Sequence, residues 1–185
     1  MKTRLWKIVF AASVLMIGCT TLGHAQELTN AQRTTLRTAI AAEPTLAAAY
    51  AARDDQTIAD WCNAASSTDA WMYAADARTL FEAGDVTKYD GLTAGKRAAW
   101  DRVERNAPID FGRNKMRTAV VDIWGATDAV AVLQALREKA TNCQSKIGGT
   151  SKTTQTVTAI DRAWSGVLGR DQISDLLNNA ARVGN

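Results

Sequence analysis

Two carboxylates one helical turn apart come closest to a catalytic arrangement in this sequence. Asp101 and Glu104 are three positions apart, so a helix places both side chains on one face. Glycoside hydrolases use such a pair as general acid and as base or nucleophile. Arg102 and Arg105 interleave with the two acids, which is typical of a solvated, charged helix face. We therefore predict no catalytic residue at this position.

Histidine and cysteine, which supply most bases and metal ligands, are scarce. The single histidine is His24, within the first 25 residues. Without it the chain lacks Ser-His-Asp and Cys-His nucleophile systems and the His-Glu-x-x-His zinc helix. Cys62 and Cys143 form neither a Cys-x-x-Cys redox motif nor a cysteine-rich zinc site. We predict no catalytic, cofactor-binding or metal-binding residue, and no enzymatic activity.

Residues 91–97, Gly-Leu-Thr-Ala-Gly-Lys-Arg, superficially resemble a phosphate-binding loop. The segment is one residue short between its glycines and has no Ser or Thr after Lys96. It also follows a turn signal rather than a hydrophobic strand, whereas phosphate binding needs the full loop and a hydroxyl for magnesium. Thr93 is better explained as the N-cap of a helix.

The first 25 residues have the order of a secretory signal peptide. Lys2, Arg4 and Lys7 precede an apolar run over residues 8–17, and small and polar residues follow as far as Ala25. The apolar run is about half the ~20 residues that a membrane-spanning helix needs. Export with removal of the segment is therefore favoured over a permanent anchor.

Two processing sites compete within this leader. Residues 23–25, Gly-His-Ala, fit cleavage between Ala25 and Gln26, which leaves a single domain over 26–185. Residues 16–19, Met-Ile-Gly-Cys, resemble a lipobox in which Cys19 would be lipidated, although Met replaces the usual leucine. Secretion is the preferred interpretation. In both cases we expect a periplasmic or envelope protein that meets the membrane only through its leader or a lipid on Cys19.

Two cysteines, Cys62 and Cys143, remain beyond the leader. An even pair in an exported protein is compatible with one disulfide. Two separate buried thiols are the alternative, because spacing along the chain does not determine whether the geometry permits a bond.

The basic character of the chain belongs to its leader. The sequence holds 22 basic and 19 acidic residues, and three basic but no acidic residues lie in the leader, so the remainder carries equal numbers. Arg113, Lys115 and Arg117 lie in the densest basic segment, which would be the place to meet nucleic acid or anionic lipid. A nucleic-acid-binding domain normally has a basic excess. We therefore predict no nucleic-acid partner.

Capping and hydrophobic spacing predict a mainly α fold, a compact bundle of about seven short helices. A capping box of Thr29 and Gln32 begins the first helix, and Asp54 or Asp55 caps another. The Gly-Gly segment near residue 148 is a break, and a short β-hairpin is compatible with residues 153–168. The other predicted helices cover residues 45–52, 69–83, 93–105, 113–124, 127–143 and 171–182.

Tryptophans are expected to supply the bulk of an otherwise alanine-rich core, and stacking on a ligand is the functional alternative. Those beyond the leader are Trp61, Trp71, Trp100, Trp124 and Trp164.

Several short packing and capping motifs follow one another along the chain. They are Leu-Thr-Asn-Ala-Gln at 28–32, Glu-Pro-Thr-Leu at 43–46, Ile58-Ala59 before Asn63, Trp71, Leu-Thr-Ala-Gly-Lys at 92–96, the basic segment 112–121, Asp-Ile-Trp-Gly at 122–125, and residues 164–176. Over about residues 28–177 this combination resembles a poorly characterised family of small structural proteins of tailed bacteriophages. The resemblance implies a non-enzymatic virion, neck or tail-associated protein and carries over no functional residue. The leader departs from that family.

Three functions are compatible with these observations. The preferred one is a non-enzymatic structural or protein-interaction module, phage-like or exported, with a protein partner or with self-association. The second is a periplasmic protein that binds a small ligand between tryptophans. The third is a histidine-independent hydrolase of lysozyme type that uses Asp101 and Glu104.

Overall fold

The computed structural model of the chain describes residues 27–164 and 166–179. The predicted signal peptide, with cleavage at Ala25 and Gln26 and the alternative lipidation site Cys19, lies outside the described residues. Within them the chain is mainly helical, with one small mixed sheet. No helix in this part of the protein has the length and apolar character needed to cross a membrane.

The described residues contain ten α-helices and four strands. The helices are α1 Asn30–Ala42, α2 Ala47–Ala52, α3 Asp55–Asn63, α4 Ala77–Ala83, α5 Val86–Gly91, α6 Ala94–Arg105, α7 Asn114–Trp124, α8 Asp128–Ala135, α9 Asn142–Ile147 and α10 Arg170–Asn178. The strands are β1 Ala65–Trp71, β2 Arg137–Thr141, β3 Ser151–Thr154 and β4 Val157–Ile160.

Short-range hydrogen bonds begin several helices where the sequence predicts. Thr29 Oγ1 accepts from the backbone N–H of Gln32 at 3.3 Å, and Gln32 Oε1 accepts from the backbone N–H of Thr29 at 2.8 Å. This reciprocal capping box at the start of α1 is confirmed. Thr93 caps α6 in the same position, accepting from the N–H of Lys96 at 3.4 Å. The predicted N-cap at Thr93 is also confirmed.

The sheet joins segments that are far apart in sequence. Its strand order is β2-β1-β4-β3. β1 runs antiparallel to β2 and parallel to β4, while β3 and β4 form an antiparallel hairpin. Ala70, at the centre of the sheet, is opposite Glu138 on one side and Ile160 on the other.

The predicted bundle of about seven short helices, with strand expected only near residues 153–168, is wrong in two segments. Residues 69–71 of the predicted helix 69–83 belong to strand β1 and α4 begins only at Ala77, while residues 137–141 of the predicted helix 127–143 form strand β2. Asp69 on β1 contacts Arg137 at 2.8 Å and Lys139 at 2.7 Å, both on β2. These cross-strand contacts exist only once the two segments meet, so tertiary pairing overrides the local helical preference.

The hairpin expected after the Gly-Gly segment is present, but it lies earlier than predicted. β3 and β4 occupy residues 151–160 instead of 153–168. Gly149 enters the hairpin at a point where a Cβ atom would lie 1.2 Å from the backbone oxygen of Asp161. Only glycine permits this close approach of two backbone segments.

Buried side chains form two hydrophobic clusters. The first core lies among α4, α6, α7, α8 and one face of the sheet, and it contains Trp71, Trp100 and Trp124. The second core joins α1, α3, α9 and α10, and it contains Trp164. These four indoles are at least 96 % buried, as expected of core residues, whereas Trp61 packs only partly against the second core. The assignment of residues 26–185 to a single domain stays a prediction.

Candidate functional site

Asp101 and Glu104 lie side by side on α6 and line the same cleft. The N-cap at Thr93 sets the start of α6, and Trp100, 1 % exposed, anchors its inner face in the first core. Asp101 follows this anchor directly and Glu104 lies one turn beyond it, and both line the cleft that Trp100 also lines. The structure therefore places the predicted pair at a concave site.

Four helices and one loop surround this cleft, which we call the aromatic cleft. It has a volume of about 280 Å³. Its residues come from α4, the α4–α5 connection, α5, α6 and α7. They are Phe81, Gly84, Val86, Tyr89, Asp90, Trp100, Asp101, Glu104 and Trp124.

Three aromatic rings form the apolar wall of the cleft. Trp100 and Trp124 meet edge to face, with ring centroids 5.3 Å apart and planes at 84°. Tyr89 packs against Trp124 with centroids 6.5 Å apart. Gly84 lets the chain after α4 approach this wall, since a Cβ there would lie 3.3 Å from Cζ2 of Trp124. Such ring pairs pack rigidly and hold the wall in shape.

Hydrogen bonds and burial set the charge states at the mouth of the cleft. Tyr89 donates its hydroxyl to Oδ1 of Asp101 at 2.5 Å, and this bond raises the pKa of Tyr89 above its usual value. Burial raises the pKa of Glu104, partly opposed by a hydrogen bond from the indole of Trp100. Asp90 supplies a third carboxylate, and none of the described residues lining the cleft is basic.

We expect Glu104→Gln to stabilise the protein at neutral pH. A raised pKa means that the folded chain holds more protons than the unfolded chain between the two pKa values. Stability therefore falls as pH rises through that window, and the loss persists at pH 7. The thermal midpoint of the variant should exceed that of the wild type at pH 7 and equal it near pH 3.5.

Glu82→Gln is the matched control for this measurement. Glu82 is exposed and pairs with Arg78 within α4 at 2.7 Å, so neutralising it relieves no burial. Its midpoint should stay at or slightly below the wild-type value at pH 7. An equal rise of the thermal midpoint in both variants, or no rise with Glu104→Gln, would contradict burial as the cause of the raised pKa of Glu104.

The other predicted residues lie outside the cleft. Cys62 on α3 and Cys143 on α9 lie at disulfide distance in the second core, with Cα atoms 4.7 Å apart. This distance is consistent with one disulfide, which the sequence left open beside two separate thiols. Asp54 caps α3, accepting from the backbone N–H of Thr57 at 3.1 Å. Asp128 forms an ion pair with Lys88 at 2.7 Å. These carboxylates serve helix ends and the surface.

The segment that resembles a phosphate-binding loop is the junction of two helices. Gly91 ends α5, and Thr93 caps α6. No group of three or more Asp, Glu, Cys or His side chains among residues 27–164 and 166–179 is arranged to hold a metal ion.

The sequence places Arg117 in the densest basic segment, where a cation available to a partner is expected. In the structure Arg117 is buried. It is 1 % exposed and its Nε donates to Oγ1 of Thr154 at 3.1 Å. By contrast, Arg113 is exposed and pairs with Asp110 at 3.2 Å. The densest basic segment therefore presents one cation fewer to solvent than its sequence indicates.

Sequence reasoning missed the part of the cleft that α5 supplies. Its six residues, Val86–Gly91, are too few for a helical pattern to stand out. The available signal was Asp85, whose carboxylate accepts from the N–H groups of Thr87 and Lys88 and so caps this helix.

No family model matches this chain, and comparisons with curated proteins and with solved structures also return no match. The resemblance to phage structural proteins over residues 28–177 stays a prediction.

Proposed function

We propose that this protein is a non-enzymatic interaction module that receives a protein partner at the aromatic cleft. One observation carries the proposal: Phe81 and Val86 stand at the mouth of the cleft with 62 % and 59 % of their surface exposed. They extend the apolar wall of Trp100 and Trp124 outward. Exposed apolar side chains that are contiguous with an aromatic pocket are typical of interaction sites.

The setting of this interaction is proposed from the leader and from the cysteines. A signal peptide over residues 1–25 directs the chain to the periplasm or envelope. The pairing of Cys62 with Cys143 is compatible with such an oxidising compartment. Assembly into a virion, neck or tail is the alternative setting that the phage resemblance supports.

A photoactivatable amino acid at position 86 tests the proposal in intact cells. We expect one discrete cross-linked adduct, whose mass identifies either a second copy of the chain or a different protein. Phe81→Ser should reduce the adduct about fivefold or more, because truncating an important aromatic contact typically costs over 1 kcal/mol.

Position 167 is the matched control, since Val167 is also 62 % exposed but lies outside the cleft. A probe there should give no such adduct. Equal adducts at both positions, or an adduct that survives Phe81→Ser, would contradict a role for the cleft.

A carboxylate-dependent hydrolase is the second candidate function. It is favoured by Asp101 and Glu104 sharing one cleft and by the raised pKa of Glu104, which is the property a general acid needs. The test is peptidoglycan turnover by the wild type and by three variants. Loss of turnover in both Asp101→Asn and Glu104→Gln, with turnover kept in Asp122→Asn on α7, would establish this function. It would also overturn a purely non-enzymatic role.

A further inference from the structure

We propose that the group entering the aromatic cleft is an alkylammonium cation, the side chain of a lysine on the protein partner. This inference rests on the proposed function, because it takes the cleft as the binding site. It adds the chemistry of what binds there.

The aromatic wall supplies the first attraction. The faces of tryptophan and tyrosine rings carry negative electrostatic potential and attract organic cations. Trp100, Trp124 and Tyr89 meet around one small volume, and the two indoles are 1 % and 4 % exposed. A cation that enters this volume exchanges water for aromatic side chains supplied by three helices.

The carboxylates supply the second attraction. Asp90, Asp101 and Glu104 all line the cleft. A carboxylate has two oxygens with room for several hydrogen bonds, so Asp101 can accept from an ammonium group as well as from Tyr89. Aromatic walls with acidic groups at the mouth favour a ligand that is apolar along its stem and positively charged at its head.

Nearby basic residues form no ion pair with these three carboxylates among the described residues. Lys88 is paired with Asp128, and Arg97 donates to the backbone oxygen of Asp90 instead of to its carboxylate. Arg105 follows Glu104 on α6 and lowers the pKa of that carboxyl only as a minor effect. None of these three cations lines the cleft.

The size of the cleft selects a small group. Its volume of about 280 Å³ is at the lower end of ligand pockets, which hold roughly 300–1,000 Å³. It therefore fits one side chain or a small head group, and the exposed Phe81 and Val86 at the mouth can contact the chain that carries it.

Titration of the mature protein by NMR tests the proposal with matched probes. Choline is compared with 3,3-dimethylbutan-1-ol, its neutral isostere, and a lysine tripeptide amide with the norleucine equivalent. The indole N–H signals of Trp100 and Trp124 report on the cleft, and that of Trp164 in the second core is the internal control. We expect both cations to bind about tenfold more tightly than their neutral counterparts at low ionic strength. We expect the lysine peptide to bind more tightly than choline, and the reverse order would overturn the assignment to a lysine of the partner.

Variants locate the effect. Asp101→Asn with Glu104→Gln should weaken binding of the cations about tenfold and leave the neutral probes unchanged, whereas Asp122→Asn outside the cleft should change neither. Equal binding of the charged and neutral probes, or shifts of Trp164 alone, would overturn the proposal even if the double variant fails to fold, because that comparison uses the unaltered protein.

If cations fail to bind but the cross-link at position 86 still depends on Phe81, only the alkylammonium inference is lost. If the cross-link fails as well, the proposed function is lost with it.

Discussion

Replacing Arg117 with methionine is expected to lower the free energy of unfolding by about 3–5 kcal/mol, since it breaks a buried ionic network from one side. Nη1 of Arg117 donates to the backbone oxygens of Phe111 and Gly112, both at 2.6 Å, and contacts Asp161 at 3.2 Å. Its guanidinium also lies 5.0 Å from the ring centre of Trp71. Methionine fills a similar volume but leaves the two oxygens and the carboxylate without this donor.

Urea unfolding of Arg113→Met provides the comparison, because Arg113 lies four residues earlier and its ion pair with Asp110 is exposed. The free energy of unfolding of that variant should fall by about 0.5 kcal/mol or less. Burial raises the pKa of Asp161 and the charge of Arg117 lowers it. The Asp161 carboxyl should therefore titrate at a higher pH in Arg117→Met. Arg117 joins α7 to the β3–β4 hairpin through Thr154 and Asp161. A decrease in the free energy of unfolding of less than about 1 kcal/mol in Arg117→Met would contradict a stabilising role for these contacts.

Replacing both Cys62 and Cys143 with alanine is expected to lower the free energy of unfolding by about 4.5 kcal/mol, as the chain-entropy model gives for a loop of this length. The two cysteines are 81 positions apart and both are fully buried in the second core. Their pairing joins α3 to α9 and closes a loop that contains β1, the aromatic cleft and β2. Without it the unfolded chain gains freedom, and the second core loses two sulfur atoms.

Wild-type protein treated with a reductant separates these two contributions, because it keeps both sulfur atoms but not the bond. Denaturant unfolding should place reduced wild type between the oxidised protein and the alanine variant. Two buried thiols, the alternative drawn from the sequence, would instead make the reductant without effect. An intact mass under non-reducing conditions checks the oxidation state of the starting material.

Helix starts were predictable because their bonds close within three residues. Thr29 with Gln32 and Thr93 with Lys96 are examples in which the capping side chain and its backbone partner are both visible in a short stretch of sequence. The same reasoning failed for residues 137–141. A run of Arg, Glu, Lys and Ala suits a helix locally, but pairing with β1 makes it a strand.

The sequence predicted only part of the candidate site. The spacing of Asp101 and Glu104 placed them on one helix face, but interleaved arginines made that face look fully solvated. Burial beside Trp100 was hidden, because the wall of the cleft comes from Tyr89 and Trp124, on other helices. Leu80 and Phe81 show the same limit: adjacent apolar residues of α4 are fully buried and 62 % exposed respectively.

The sequence by itself determined how few residues could support histidine- or cysteine-based chemistry and where many of the helices begin. It contains one histidine, His24, whatever the fold, and a cap needs only its neighbours. Tertiary structure alone decided that Arg117 is a core residue, that β1 pairs with β2, and that two carboxylates share a cleft with three aromatic rings. Burial and strand pairing depend on partners tens of residues away, which no local pattern specifies.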